Sequence, residues 1–175
     1  MFNQRFITTF AGSLDSKSRV CIPASWRDVL KKQDTDGVYA CPSLDGDCLI
    51  GFGEELMQAE IKRIEALDPI YSTDYETFSH LVSYSHRLTI DDNGRVRLPD
   101  ELIAACGLAD RVVFVGMGLK FEIWNPDTFA PVKERRLANA RAERAARSAL
   151  EAAARAALLA QIPAAPVPPA AEEAP

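Results

Sequence analysis

Leu14-Asp15-Ser16-Lys17-Ser18-Arg19-Val20-Cys21-Ile22-Pro23 and Ile90-Asp91-Asp92-Asn93-Gly94-Arg95-Val96-Arg97-Leu98-Pro99 are two copies of one motif. They align without a gap at an offset of 76 residues. Each reads apolar, Asp-x-x-x-Arg-Val-x-(Ile/Leu)-Pro, and each leads into a helix-like segment. A repeat dictates architecture, so it is read first. Two copies suggest halves paired about a pseudo-two-fold axis rather than a solenoid.

The physics of one copy is readable residue by residue. Asp15 and Asp91 open tight turns, because an Asp carboxylate accepts hydrogen bonds from backbone N–H groups two residues on. Asn93-Gly94 tolerates positive φ, and Ser18 stands where the second copy has Gly94. Val20-Cys21-Ile22 and Val96-Arg97-Leu98 alternate as strands do, with two residues in and one out. Pro23 and Pro99 end those strands and favour a helix start. Gly107 is a stop signal for the second helix. The segment 37–41 then corresponds to 111–115, and 48–52 to 120–124. Each half therefore reads strand, turn, strand, short helix, hairpin, longer helix.

The doubled motif, the order of elements, Phe6-Ile7-Thr8-Thr9-Phe10 and Pro23-Ala24-Ser25-Trp26-Arg27 resemble the MraZ family, within the AbrB/SpoVT-like swapped-hairpin superfamily. The resemblance covers residues 5–137. One departure is Lys17-Ser18-Arg19, where the family has Lys-Gly-Arg. The resemblance implies an α+β fold: two tandem swapped-hairpin halves forming one pseudo-two-fold β-barrel core, with flanking helices and a long C-terminal helix. The expected boundaries are 5–70 and 71–137 for the halves, 138–162 for an Ala/Arg-rich helical extension and 163–175 for a disordered Pro/Ala tail.

Composition bounds the function. Of 175 residues, 47% are hydrophobic, as in an ordinary globular chain. Each half, at roughly 70 residues, would be marginal alone, so mutual burial is expected. There is no run of 18 apolar residues and no signal-peptide core, so a cytoplasmic protein is expected. The net charge of −5 argues against nucleic-acid binding. DNA, however, responds to the local field, and Lys17, Arg19, Arg95 and Arg97 lie on or beside the two turns.

Two readings of the motif arginines stay open. Arg19 with Asp15, and Arg95 with Asp91, could staple their own turns. Alternatively the arginine heads, or Lys17 and Arg97, could reach DNA, since a planar guanidinium grips phosphate or guanine bidentately. The resemblance favours DNA contact, especially for Arg19. Trp26 suits the core or a subunit interface. Cys21 and Cys106 sit in apolar patterns that suit plain core. Cys41 and Cys48 could face each other across a hairpin, but a disulfide is not expected in a cytoplasmic protein. No zinc-ligand spacing, catalytic constellation or cofactor loop stands out, so neither metal, cofactor nor small-molecule substrate is expected. His80 and His86 read as surface histidines.

Outside the repeats, Glu54–Leu67 reads as an amphipathic helix buried through Leu56, Ala59, Ile61, Ile64 and Leu67, and ended by Asp68-Pro69. A second helix is expected from about Asp74, with Tyr75, Phe78, Leu81 and Val82 inward. Asn125-Pro126-Asp127 starts a C-terminal helix that Pro131 should kink or restart. The resemblance implies a non-enzymatic, sequence-specific transcriptional regulator associated with the nucleoid. It would be a repressor binding repeated promoter boxes on double-stranded DNA upstream of its own cell-division and cell-wall gene cluster. It would act as a ring-shaped homo-oligomer. The alternative is an antitoxin-like protein-interaction module of the same fold.

Overall fold

Proline decides where each motif leaves its strand. Pro23 (φ −51°, ψ 138°) and Pro99 (φ −56°, ψ 143°) hold extended backbone and act as N-caps, one residue earlier than the first helical position. Their carbonyls accept the first helical N–H groups, from Trp26 and Arg27 in one copy and Leu102 and Ile103 in the other. The structure is a computed structural model that describes residues 5–33 and 35–160. The expected tail, 163–175, and the side chain of Phe78 lie outside what it describes.

The first half runs β1 (Thr9–Ser13), β2 (Arg19–Cys21), α1 (Ala24–Lys32), β3 (Gly37–Pro42), β4 (Leu49–Phe52) and α2 (Glu54–Glu65). After α3 (Tyr75–Ser83) the order repeats as β5 (His86–Thr89), β6 (Arg95–Arg97), α4 (Asp100–Ala105), β7 (Arg111–Gly116), β8 (Lys120–Trp124) and α5 (Pro126–Ala160). Gly107, at φ +56°, follows α4 as a left-handed stop. The chain divides into two compact units, Met1–Pro131 and Val132–Pro175. All strands belong to the first.

Six strands form one antiparallel sheet in the order β1-β7-β8-β4-β3-β5. The order is a palindrome: β1 of the first copy pairs with β7 of the second, and β5 with β3. The registers match too. Gly12 lies opposite Val112 as Leu88 lies opposite Val38, and Leu49 opposite Ile123 as Gly51 opposite Phe121. The correspondence of 37–41 with 111–115, and of 48–52 with 120–124, is therefore the one in the sheet.

The expected barrel does not close. β2 and β6 leave the sheet and pair with each other as a separate two-stranded ribbon. Among the described residues, the single bridge Leu14–Val20 joins that ribbon to the sheet end. The reason is length: β2 has three residues between its turn and Pro23, and their ladder bonds go to β6. Proline donates no N–H, so pairing stops there.

Trp26 organises the core. It is 1% exposed and edges onto Phe6, Phe10 and Phe114 at centroid distances of 5.6, 5.4 and 5.9 Å. Its indole N–H donates to the Ile7 carbonyl at 2.9 Å, so the buried polar atom is satisfied. Val20, Ile22, Val96 and Leu98 are buried beside it, the two-in, one-out pattern of each motif. Cys21 is the one out, exposed rather than core, because it takes the outward position between Val20 and Ile22.

α2 buries a different stripe from the one expected, and α5 does not restart at Pro131. α2 buries Met57 and Glu60, while Leu56, Ile61, Ile64 and Leu67 are half-buried and Ala59 is exposed. The buried stripe is rotated because Met57 enters a second cluster with Cys41 and Phe52. Glu60 is tolerated there because Arg63 pairs with it at 3.4 Å. α5 runs through Pro131 without restarting. The Ala-, Arg- and Glu-rich sequence beyond it has enough helix propensity to carry the helix past one missing hydrogen bond.

Candidate functional site

The two motif turns have the same backbone. In the first, the Ser18 N–H donates to the Asp15 carbonyl and the Asp15 N–H to the Arg19 carbonyl, both at 2.9 Å. Asp15 Oδ1 also accepts the N–H groups of Lys17 (2.9 Å) and Arg19 (3.0 Å). In the second, Gly94 and Asp91 make the equivalent bonds at 2.8 Å, and Asp91 Oδ1 accepts from Asn93 (2.9 Å) and Arg95 (2.8 Å). Such carboxylate-capped turns bring the chain round without a long loop. Both need a left-handed residue, and have one in Ser18 (φ +58°) and Gly94 (φ +76°).

Each turn is then tied to the other copy. The Ile22 N–H donates to the Gly94 carbonyl and the Leu98 N–H to the Ser18 carbonyl. Between these bonds lies the β2–β6 ribbon, with Val20 opposite Val96, Arg19 opposite Arg97 and Cys21 opposite Arg95. Val20 and Val96 face the core. The strand period of two puts Arg19, Arg97, Cys21 and Arg95 together on the outer face. The ribbon therefore brings three of the four sequence-selected cations onto one small surface, and exposed Lys17 sits on the adjoining turn.

The arginines differ in what holds them. Arg19 is clamped onto its own Asp15, with Nε at 2.9 Å and Nη2 at 2.8 Å from Oδ2. That side-chain hydrogen bond, with the two backbone N–H donors, lowers the Asp15 carboxyl to about 2, and Asp15 in turn raises the Arg19 pKa. Arg95 does not repeat the clamp. Its backbone N–H binds Asp91, but among the described residues its side chain enters no ion pair, and neither does that of Arg97. Both are exposed. Two guanidinium groups are thus presented to solvent, and a third is held rigid with part of its donor edge uncommitted.

Sequence reasoning missed two neighbours. Asp100, the first residue of α4, accepts a hydrogen bond from Ser18 Oγ at 3.3 Å. Arg27 of α1 lies over the second turn: a Cβ on Gly94 would meet its Nη1 at 2.0 Å. Lys17, Arg19 and Arg97 with Asp100 line a shallow hollow beside the first turn. The hollow beside the second holds Arg27 and Lys31 but also Asp36, Asp91 and Asp92. The surface is therefore more positive on the side of the first turn.

Cys41, Cys48 and Cys106 are buried, and Pro42 rather than Cys41 pairs with Leu49 beside Cys48. Among the described residues no group of three His, Cys, Asp or Glu side chains is placed to hold a metal ion. Among them, too, no helix is long and apolar enough to cross a membrane.

The chain is similar to known proteins of one family. A family model described as "MraZ protein, putative antitoxin-like" matches residues 81–151. A protein of Xanthobacter autotrophicus named transcriptional regulator MraZ is 42% identical over 123 residues, covering 70% of this chain and 78% of that protein. One of the same name from Azorhizobium caulinodans is 42% identical over 138 residues, covering 78% and 85%. Another, from Rickettsia akari, is 36% identical over 137 residues, covering 78% and 89%. With a palindromic sheet built from two copies of the motif and relatives of this similarity along most of its length, the chain belongs to the MraZ family.

Proposed function

We propose that this protein is a sequence-specific DNA-binding transcriptional regulator that reads its site with the β2–β6 ribbon. The outer face of that ribbon carries the reading: Arg19, Arg95 and Arg97 gather there, backed by Val20 and Val96. The major groove of B-DNA is about 12 Å wide and admits a two-stranded ribbon. Arg95 and Arg97 supply guanidinium forks for guanine edges or phosphate. Lys17 adds a phosphate contact. Arg19 fixes the shape of its turn through Asp15 and presents its remaining N–H edge. Asp15, Ser18, Asp91 and Gly94 hold the two turns.

The exchanged pairing of β1 and β5 supports a swapped-hairpin arrangement of two halves, 5–70 and 71–137, with 138–162 as an extension. The small cationic patch on a chain of net charge −5 favours avidity. In this reading several copies form a ring that binds repeated boxes upstream of the protein's own cell-division and cell-wall genes. It works in the cytoplasm, on the nucleoid, as a repressor and without a cofactor. The antitoxin-like description of the matched family favours one second reading, in which the same fold chiefly holds a protein partner.

The test is a fluorescence titration against duplexes from DNA upstream of the gene, carrying one, two or three repeated boxes. Arg95→Ala and Arg97→Ala should each weaken box binding by about 5- to 150-fold, the worth of one bidentate pairing with a base. Light scattering should give a mass many times 19.2 kDa for wild type and both variants. Affinity that does not rise with box number would remove the avidity argument, and the negative charge would then count against DNA binding.

A further inference from the structure

The distal part of α5 has a charge pattern that the ribbon does not explain. Lys133–Ala160 carries seven Lys/Arg against three Glu, a net of +4, whereas the whole chain is −5. Every residue from Lys133 to Leu159 is exposed. At 3.6 residues per turn, Lys133, Arg141, Arg144, Arg147 and Arg155 fall within an arc of about 120°. Glu151 lies among them. Beside that face, Ala138, Ala142, Ala145, Ala149, Ala152 and Ala156 occupy an adjoining arc of about 80°.

We infer that this cationic face of α5 is a second, sequence-independent DNA contact that grips the phosphate backbone. The inference rests on the DNA-binding reading above and deepens it. Length fits the partner: Lys133 to Arg155 spans about 33 Å at 1.5 Å per residue, close to one duplex turn of roughly 34 Å. Stability fits as well. An Ala-rich helix with Glu143–Arg147 and Glu151–Arg155 at i,i+4 spacing persists in water without a packed partner. The apolar side decides against a lipid surface. Interfacial helices insert Trp, Phe or Leu, and here the stripe is alanine, with Leu150, Leu158 and Leu159 scattered around the helix.

The experiment compares the full chain with a variant carrying Lys133→Gln, Arg141→Gln, Arg144→Gln, Arg147→Gln and Arg155→Gln. Gln has similar helix propensity, so far-ultraviolet circular dichroism should be unchanged. The probes are a random 30-bp duplex, the upstream box duplex, and vesicles of phosphatidylserine and phosphatidylcholine. The variant should bind the random duplex at least tenfold more weakly. Its slope of log affinity against log salt should fall by about 2 to 4, near 0.9 for each phosphate no longer neutralised. The preference for box over random duplex should stay as in wild type. Affinity and slope within twofold of wild type would overturn the inference, as would an effect confined to vesicles. If the helix variant loses random-duplex binding while wild type shows no box preference, the α5 contact stands and the sequence-specific reading falls.

Discussion

The two motif turns share a backbone and differ in almost everything attached to it. The first bends at Ser18, clamps Arg19 onto Asp15 and touches Asp100 at the start of α4. The second bends at Gly94, leaves the Arg95 side chain exposed and is covered by Arg27 from α1. Each turn thus rests on the helix of the other copy, but through different chemistry. In the first, polar groups lock the turn. In the second, the absence of a Cβ makes room for an arginine. The repeat preserved the path of the chain and let the side chains specialise.

The largest break in that comparison lies beneath the turns, at equivalent positions of α1 and α4. Trp26 and Leu102 are both buried, but Trp26 meets several rings and fills a hydrogen bond, whereas Leu102 is an ordinary aliphatic contact. Trp26→Ala should cost about 4 kcal/mol and Leu102→Ala about 3 kcal/mol. Urea unfolding of both variants measures the difference. Equal losses would mean that the two halves share the core more evenly than the aromatic packing indicates.

Legibility follows the range of the interaction. The element order, the two-in, one-out strands, the Gly107 stop and the Asp15–Arg19 staple depend on residues at most a few positions apart, and all are readable in the sequence. The staple is an i,i+4 pair, and both of its members stand in the motif. The barrel is not readable as open, because closure depends on whether a three-residue strand has hydrogen bonds left after pairing with β6. The burial of Glu60 is not readable either, since its rescue by Arg63 matters only once Met57 has set the face of α2. Arg27 over Gly94 has no local signal at all. Its placement comes from one copy's helix packing on the other copy's turn. Cys21 is legible as outward from alternation and illegible only to a reading by hydrophobicity.

The turns themselves give a reciprocal pair of smaller effects. Gly94→Ala forces a Cβ into left-handed backbone and displaces the Arg27 head, which is flexible enough to move. The strain alone should destabilise by about 1–2 kcal/mol. Ser18→Gly relieves the same strain at φ +58° but loses the hydrogen bond to Asp100 and gains unfolded-state freedom. It should stabilise by no more than about 0.5–1 kcal/mol. Thermal melts of both variants read the signs. A destabilised Ser18→Gly would show that the contact with Asp100 outweighs backbone strain, so that serine is the better residue at this turn.

The finest difference is electrostatic and belongs to the first turn. Asp15 titrates at about 2 rather than 3.8, chiefly because the Arg19 side chain donates to its carboxylate. A folded-state pKa below the unfolded one contributes stability above the unfolded value and loses it as pH falls through the folded one. The stability contribution of the staple should therefore be whole above about pH 4 and be lost as pH falls toward 2, where the folded carboxylate itself takes up its proton. Both groups are at the surface, so the contribution to global stability is small and screened by salt. The clear readout is local: carboxyl carbon NMR of Asp15 as pH is lowered. Wild type should show a midpoint near 2, and Arg19→Ala should move it up toward 3.8. An unmoved midpoint would assign the shift to the backbone donors of Lys17 and Arg19 alone. The guanidinium of Arg19 would then be as uncommitted as that of Arg95, and the two turns would present their arginines to solvent alike.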